Sequence, residues 1–322
     1  MEIRAYAPAS IGNFAAGFDL MGAALAPLDG SLWGDVVTAS TSAAVGLTTS
    51  GPHAEDLPAD PWQNLVLRTH ALYREALRLK GIECPVLSFH LEKRLPRCSG
   101  LGSSASSVAA TLAACQALLG EPLATSEVFA VAGRAEALVS GSVHLDNVVP
   151  SLAGGLQLLV PGPDGAPEAR ALPWPDDLVL VVVSPALELA TERARRVLPK
   201  AFPLKDTLAF AQNLAGFVHA LESGDRGLLR RCLRDVLAEP YRAALVPGFL
   251  AAKAGALAVG ALGCTLSGAG PALFAVAESP TQAGAAADAL QSALGDAGLT
   301  STARLCRVDT QGSRVLSPGE PS

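Results

Sequence analysis

A glycine- and serine-rich stretch in the first half of the chain has the residue types that bind phosphate. It runs from Pro96 to Ser107 and contains Gly-Leu-Gly-Ser-Ser-Ala-Ser-Ser. Glycines let backbone N–H groups approach an anion, serine hydroxyls add donors or a Mg²⁺ ligand, and a following helix directs its positive end at the same point. The stretch therefore predicts a phosphate-binding loop, with a plain Gly/Ser loop as the alternative.

Two common phosphate-binding patterns do not fit this stretch. No lysine follows Gly102, as the nucleotide loop ending in Gly-Lys-Ser/Thr requires, and the Gly-x-Gly-x-x-Gly spacing of dinucleotide folds is absent. The flanking segments have the periodicity to position a loop. Residues 86–91 alternate like a strand, and apolar residues recur at helical spacing from Val108 to Leu119, before Gly120.

Other periodic segments predict a mixed α and β protein. The segment 2–7 is predicted as an edge strand, 36–40 and 45–48 as strands of a meander, 178–183 as a buried strand and 303–308 as the last strand. Helices are predicted from Asn64, over 128–140, from Thr191 and over 281–294, with Asn64 and Thr191 as candidate caps.

Composition excludes several functional classes. The chain has 322 residues, half of them hydrophobic, and a net charge of −6 without a Lys/Arg-rich run, which argues against a nucleic-acid or anionic-membrane partner. Its start lacks an apolar signal core, which predicts a cytoplasmic protein.

The six cysteines include no Cys-x-x-Cys pair, so neither a zinc site nor a disulfide framework is indicated. Glycines and a proline divide the uncharged segment 254–277, which we interpret as buried core rather than a membrane span.

Three motifs resemble those of a known superfamily. The order Pro-x-x-x-Gly-Leu-Gly-Ser-Ser-Ala is similar to the phosphate loop of the GHMP kinases, and 267–276 is similar to their third glycine motif. The segment 8–19 resembles the Pro-Ala-Ser-x-x-Asn-x-x-x-Gly-Phe-Asp motif of the homoserine kinase branch, except that Ile11 and Gly12 replace a commoner Ser-Ala pair. With the similar segment 235–242, the resemblance runs from Tyr6 to about Val315.

The resemblance implies a fold and an activity. The fold is α+β, a two-domain GHMP kinase fold with an N-terminal domain similar to domain 2 of ribosomal protein S5 and a ferredoxin-like C-terminal domain. We place the ATP-binding domain at 1–160 and the second domain at 161–322. The implied activity is Mg²⁺- and ATP-dependent phosphorylation of the L-homoserine side-chain hydroxyl to O-phospho-L-homoserine in threonine biosynthesis, by a cytoplasmic homodimer.

The resemblance also implies a set of site residues. The catalytic residues are Glu136, Asn147 and Arg195, and the Mg²⁺ ligands are Ser104 and Glu136. The substrate-binding residues are Asn13, Asp19, His144, Asn147, Thr191, Arg195 and Arg242. The ATP-binding residues are Asn64, Pro96, Arg97, Cys98, Ser99, Gly100, Leu101, Gly102, Ser103, Ser104, Ala105 and Ser106.

Structural roles are the alternatives for several of these residues. Asn13 and Asp19 are also typical turn formers, Asn64 is a typical helix cap, and Arg195 lies in an arginine cluster of the kind found on solvated helix faces. MgATP needs hard oxygen ligands, which Glu136 supplies together with Ser103 or Ser104. The sequence leaves open which of the two serines is the ligand.

Asn147 stands near the position at which other branches of the superfamily place an aspartate base. An amide cannot take a proton, and Asp146 points elsewhere if the segment is extended. We therefore expect phosphoryl transfer without a side-chain base.

Two other functions are alternatives to this activity. Another GHMP kinase activity is disfavoured by the two arginines for a substrate carboxylate, and a non-catalytic nucleotide-binding relative is disfavoured because Glu136 and the loop serines are present.

Overall fold

The computed structural model describes residues 1–163 and 167–317. Within these ranges the strands are β1 (Glu2–Pro8), β2 (Ser10–Gly12), β3 (Met21–Pro27), β4 (Gly34–Thr41), β5 (Gly46–Ser50), β6 (Leu87–Glu92), β7 (Leu156–Pro161), β8 (Pro167–Leu172), β9 (Val179–Pro185), β10 (Gly263–Leu266), β11 (Leu273–Ala277), β12 (Ser301–Val308) and β13 (Arg314–Val315). The α-helices are α1 (Leu65–Leu79), α2 (Ser103–Leu118), α3 (Thr125–Ser140), α4 (Val148–Ala153), α5 (Thr191–Arg196), α6 (Leu204–Ser223), α7 (Arg226–Cys232), α8 (Glu239–Arg242), α9 (Phe249–Ala258) and α10 (Pro280–Asp296).

The first sheet has the strand order β13-β1-β4-β6-β5. Two predictions about it are wrong. β1 lies between β4 and the short β13 rather than at an edge, and β6 inserts between β4 and β5, so these two strands form no meander. β5 and β6 are parallel, a pairing that needs a long crossover. The segment 51–86, which contains α1, provides that crossover.

The second sheet combines strands from both halves of the chain in the order β10-β11-β9-β12-β3-β7-β8, and β2 pairs with β3 beside this path. The position of β9 between two hydrophobic cores explains why its sequence is a continuous apolar run. Leu180 and Val182 face a core formed with α6 and α7, whereas the alternate residues Val179, Val181 and Val183 face a core formed with α9 and α10. A strand covered on both faces needs apolar residues at every position. The predicted division of the chain at residue 160 stays a prediction.

Helix α2 is the central helix of the N-terminal core. It packs against α1 and α3 and against strands β1 and β4, and small residues such as Ala105, Ala109 and Ala110 are fully buried along it. Small side chains allow neighbours to approach a helix on all sides. Its first turn lies where loops from both halves of the chain converge. Throughout 1–163 and 167–317, every helix is too short or too polar to span a membrane.

Candidate active site

The phosphate-binding loop predicted from the sequence connects β6 to α2. Gly100 (φ 81°) and Gly102 (φ 63°) have left-handed backbone conformations, and a Cβ atom on Gly102 would lie 2.1 Å from Ser10 Oγ. Glycine is required at Gly102 for both reasons. No described side chain caps the first turn of α2. Its backbone N–H groups therefore remain available to an anion, which the helix dipole also favours.

The serines of this loop point in two directions. The hydroxyls of Ser103 and Ser106 donate to backbone carbonyl oxygens of the interior at 3.0 and 2.8 Å. Ser104 Oγ instead donates to Glu136 Oε2 on α3 at 3.0 Å. Burial raises the pKa of the Glu136 carboxyl to about 7, although the Ser104 hydrogen bond acts in the opposite direction. Ser104 and Glu136 thus form a pair of hard oxygen donors beside the loop.

This oxygen pair fits Mg²⁺. The described residues include no group of three His, Cys, Asp or Glu side chains that could hold a metal ion. Mg²⁺ does not need such a group, because it is commonly bound by one or two protein oxygens together with phosphate oxygens and water. Ser104 and Glu136 have the chemistry of such a shared site.

The loop between β2 and β3 forms one wall of the cleft. Asn13, Ala15 and Asp19 all have left-handed backbone conformations, with φ of 51°, 49° and 56°. The side chain of Asn13 stabilises this turn, since its Oδ1 accepts the Asp19 N–H at 2.7 Å, and Phe14 anchors it by packing edge-on against Trp174 at a centroid distance of 5.2 Å. Uncommon backbone conformations of this kind concentrate at functional sites.

Asp146 and Asn147 lie opposite this loop, in a turn that leads into α4. The segment is a turn and not extended, so the condition under which Asp146 would point elsewhere is not met, and both residues line the cleft. Asn147 Oδ1 accepts the Ser10 hydroxyl at 3.0 Å, and Asp146 Oδ2 accepts the Asn13 N–H at 2.9 Å. Burial, reinforced by the charge of Asp19, raises the pKa of Asp146 to about 6.

Arg195, Asp19 and His144 form a polar cluster. Arg195 donates to the two carboxylate oxygens of Asp19 at 2.5 and 3.4 Å, and to His144 Nε2 at 3.0 Å. A guanidinium can only donate, so Nε2 is the acceptor and Nδ1, which lies 3.6 Å from Asp19, carries the proton of the neutral ring. Burial lowers the pKa of His144, although the charge of Asp19 opposes this shift. A neutral imidazole is therefore expected at pH 7.

Arg242 is a buried cation in the wall of the cleft. Its side chain donates to the carbonyl oxygens of Ala194 and Gly268 at 3.2 and 3.1 Å, and the residue is 2% exposed. Among the residues that the structure describes, no carboxylate forms an ion pair with it within 4.0 Å. The Phe18 ring lies 5.2 Å from its guanidinium carbon and 6.0 Å from that of Arg195. A buried charge without a direct ion-pair partner is costly, so this position suits an anionic ligand, although Asp235, Asp19 and Asp146 interact with Arg242 at longer range.

Most of the site residues predicted from the sequence line one cleft: Asn13, Asp19, Asn64, Arg97, Cys98, Ser99, Gly100, Gly102, Ser103, Ser104, Glu136, His144, Asn147, Thr191, Arg195 and Arg242. Pro96, Leu101, Ala105 and Ser106 are not part of this wall; Leu101 and Ala105 pack in the cores. Asn64 also caps α1, because its Oδ1 accepts the Val66 N–H at 2.9 Å. Thr191 is the first residue of α5 and not its cap, which is Ala190.

Some residues of the cleft wall are absent from the predicted set of site residues, among them Lys93, Ser107 and Asp146. A single lysine at the end of a strand is usually solvated, so Lys93 gives no local signal. The segment Gly268–Gly270 also lines the cleft. Its similarity to the third glycine motif was the available signal for a role there.

Comparisons with known proteins agree with this architecture. Residues 64–155 match the family model described as GHMP kinases N terminal domain, and residues 217–296 match GHMP kinases C terminal. A crystal structure of homoserine kinase from Cytophaga hutchinsonii is similar over 98% of this chain and 97% of its own, with 34% identity and a TM-score of 0.88.

More distant structures share the fold. L. major mevalonate kinase has 17% identity and a TM-score of 0.67, over 96% of both chains. Phosphomevalonate kinase from Streptococcus pneumoniae has 14% identity and a TM-score of 0.65, over 98% of this chain and 99% of its own. With two family models along the chain and a relative of 34% identity over nearly its whole length, this protein belongs to the GHMP kinase family and has its two-domain fold.

Proposed function

We propose that this chain is a homoserine kinase, which transfers the γ-phosphoryl group of ATP to the side-chain hydroxyl of L-homoserine and forms O-phospho-L-homoserine for threonine synthesis. The observation that carries the proposal is Arg242, a buried guanidinium in the cleft wall without an ion-pair partner among the described carboxylates. Such a site suits the carboxylate of an amino acid. The similarity to the homoserine kinase of Cytophaga hutchinsonii supports the same substrate.

The charges around Arg242 match both ends of an amino acid. Asp19 and Arg195 pair with each other in the structure, and an amino acid carries one charge for each of them. Its ammonium group would bind Asp19, and its carboxylate would lie between Arg195 and Arg242. Binding would then exchange one ion pair for two, without leaving either protein charge unpaired. His144 would hold Arg195 through the hydrogen bond to Nε2, and Thr191 at the start of α5 borders the same end of the cleft.

ATP would bind with its phosphates at the first turn of α2 and its adenine beside Asn64. Backbone N–H groups from Gly100 to Ser104 would hold the phosphate oxygens. Mg²⁺, bound by Ser104 and Glu136, would neutralise charge on the phosphates. The Ser104–Glu136 hydrogen bond supports Ser104 as the serine ligand, because the Ser103 hydroxyl is used by an interior carbonyl.

Asn147 would orient the acceptor hydroxyl. Its Oδ1 accepts from Ser10, which leaves its amide N–H groups to face the substrate. Phosphoryl transfer passes through a loose transition state and depends mainly on positioning and charge stabilisation. The hydroxyl proton would pass directly to the transferred phosphoryl group. Asp146 also lines the cleft, and its replacement by asparagine tests this direct route.

A coupled ADP-release assay with Mg²⁺, ATP and a panel of homoserine, mevalonate and galactose tests the assignment. We expect turnover with homoserine and background rates with the other two alcohols, because neither of them carries an ammonium group for Asp19. No turnover of homoserine would contradict the proposal. Turnover of mevalonate or galactose instead would keep the kinase chemistry but move the substrate assignment to another branch of the family.

Three related proposals rest on the family resemblance. These are the division into an ATP-binding domain, 1–160, and a second domain, 161–322, a homodimer, and a cytoplasmic location. Light scattering after size-exclusion chromatography tests the dimer directly. A monomer at working concentration would contradict it.

A further inference from the structure

A buried ion pair lies directly beneath the phosphate-binding loop. Lys93 follows β6 and Asp35 lies in β4, and the two side chains are 2% and 0% exposed. Lys93 Nζ donates to Asp35 Oδ2, to the Ser103 carbonyl oxygen at 2.9 Å and to Ser107 Oγ at 3.0 Å. The pair therefore joins two strands of the first sheet to the first turn of α2.

We propose that Lys93 is a positioning residue for nucleotide binding, and that Asp35 fixes it beneath the first turn of α2. The inference rests on the proposed ATP site. Lys93 holds the Ser103 carbonyl, which belongs to the same turn as the backbone N–H groups that would meet the phosphates. A displacement of this turn by even a fraction of an ångström would weaken several hydrogen bonds to the phosphates together.

Lys93 does not act as a direct phosphate ligand in this arrangement. An ammonium group has three donors, and the three acceptors named above use all of them. Asp35 is equally saturated. Its Oδ1 accepts the N–H groups of Arg94 and Leu95 at 2.9 and 3.2 Å, and its Oδ2 accepts the Ser107 hydroxyl at 2.5 Å as well as Lys93. A fully satisfied network of this kind holds one geometry.

Stability alone does not account for this ion pair. Replacing a buried ion pair by neutral groups is often neutral or stabilising, because both charges lose their hydration when they are buried. Other contacts already attach α2 to the interior, since Ser103 Oγ donates to Leu95 O and Ser106 Oγ to Ala7 O. The pair fixes the height of the first turn and, although it has no net charge, directs its ammonium group rather than its carboxylate toward the floor of the cleft, which Lys93 lines. Both favour an anion above the turn.

The test removes both charges and the Lys93 contact to Ser103, and it keeps the backbone contacts of residue 35. In the double variant Lys93→Met/Asp35→Asn, the amide oxygen of the new asparagine retains an acceptor for the N–H groups of Arg94 and Leu95. The single Lys93→Met variant is less suitable, because it leaves Asp35 buried and unpaired. Lys80→Met is the matched control, since Lys80 also pairs with a carboxylate but is 39% exposed.

Isothermal titration calorimetry with a non-hydrolysable ATP analogue and Mg²⁺, without homoserine, measures nucleotide affinity independently of turnover. For the folded double variant we expect a dissociation constant at least about tenfold higher than in the wild type and an unchanged KM for homoserine, because the geometric effect is confined to the phosphate side. The Lys80→Met control should bind as the wild type does. A folded double variant with wild-type nucleotide affinity would overturn the proposal and leave the pair a purely structural feature.

A second variant covers the case in which the double variant does not fold. Ser107→Ala deletes one small hydroxyl from the same network, and we expect it to fold with a thermal midpoint lowered by a few degrees, because Lys93 loses one of its three acceptors, and to raise the dissociation constant of the analogue by about two- to fivefold. Unchanged affinity in this variant would also contradict the proposal. A wild-type protein that does not bind the analogue at all would contradict the proposed kinase function instead, so the two failures are distinguishable.

Discussion

The two ends of the cleft are constructed differently. The proposed phosphate end is one contiguous segment, Gly100 to Ser104, which presents backbone N–H groups, and the opposite end is the proposed acceptor end. The acceptor end combines side chains from four separate segments, including Asp19, His144, Arg195 and Arg242. Interior hydrogen bonds fix the first end, whereas the second depends on charged groups that pair with one another.

This difference means that phosphate binding and the choice of acceptor depend on separate sets of residues. Backbone N–H groups bind phosphate whatever the acceptor is, so the phosphate end suits any member of the family. The acceptor end depends on a few side chains, each of which can change without altering the fold. Kinases with other names share the fold at 17% and 14% identity, as expected if the framework is common and the acceptor side chains vary.

The largest effect is expected at the phosphate end, from Glu136→Gln. We expect kcat to fall by about a thousandfold or more, because the substitution removes the proposed carboxylate ligand of Mg²⁺. The thermal midpoint should not fall, since a neutral amide is easier to bury than a carboxylate. Steady-state kinetics and a melting curve measure both. Glu127→Gln, at a partly exposed position in the first turn of the same helix, is the control, and near-normal activity of Glu136→Gln would make Glu136 a structural residue.

At the acceptor end, Arg242→Met should raise the KM for homoserine by about a hundredfold, because the carboxylate loses a charge-assisted, two-pronged hydrogen bond. The KM for ATP should change little. The variant should be somewhat less stable than the wild type, since the carbonyl oxygens of Ala194 and Gly268 lose their donor. Arg196→Met, at an exposed position of α5, is the control. Equal changes in both KM values would contradict a division of the cleft into two independent ends.

The phosphate end could be predicted from sequence because its residues are consecutive. The loop, α2 and the asparagine cap of α1 are local features, and local spacing indicates them. Strand order is not local: nothing in the segment 36–48 shows that β6 inserts between β4 and β5. The direction of Asp146 depends on whether its segment is a turn or extended, which local spacing does not decide, and Lys93 gives no signal because only tertiary contacts distinguish a buried lysine from a solvated one.

Gly102→Ala tests whether the two ends are mechanically separate. A Cβ atom on Gly102 would lie 2.1 Å from Ser10 Oγ and 2.9 Å from Asn147 Oδ1, so the substitution disturbs the acceptor end as well as the loop. We expect kcat/KM to fall by about tenfold for both substrates, since left-handed backbone and steric overlap act together.

Gly120→Ala is the matched control for this substitution. Gly120 also has a positive φ, 75°, but a Cβ atom there meets nothing within 4 Å. Both variants share the backbone cost, so the difference between them isolates the overlap with Ser10 and Asn147. Equal kinetics for the two variants would show that the contact across the cleft has no effect on either substrate.

The smallest effect on rate is expected from Asp146→Asn. If the hydroxyl proton passes directly to the phosphoryl group, kcat should stay within a few-fold of the wild type and keep the same pH dependence. A large loss of kcat, together with loss of a titration near pH 6, would identify Asp146 as a general base. Asp296→Asn, at an exposed position near the end of α10, is the control for the loss of one carboxylate.

The same variant should change the pH dependence of stability. Burial, and then the charge of Asp19, raises the pKa of Asp146 from 3.8 to about 6 in the folded protein. Between these values the folded state binds more protons than the unfolded state, so the free energy of unfolding falls as pH rises from about 4 to about 6. A pKa shift of about two units corresponds to a loss of unfolding free energy on the order of 3 kcal/mol.

Denaturant titrations of the nucleotide-free protein at pH 5 and pH 7 test this expectation. The free energy of unfolding should fall less between these pH values in Asp146→Asn than in the wild type, because the amide does not ionise. Equal losses would mean that Asp146 ionises in the folded protein as readily as in the unfolded chain, which would make it a solvated residue of the cleft mouth rather than part of its buried wall.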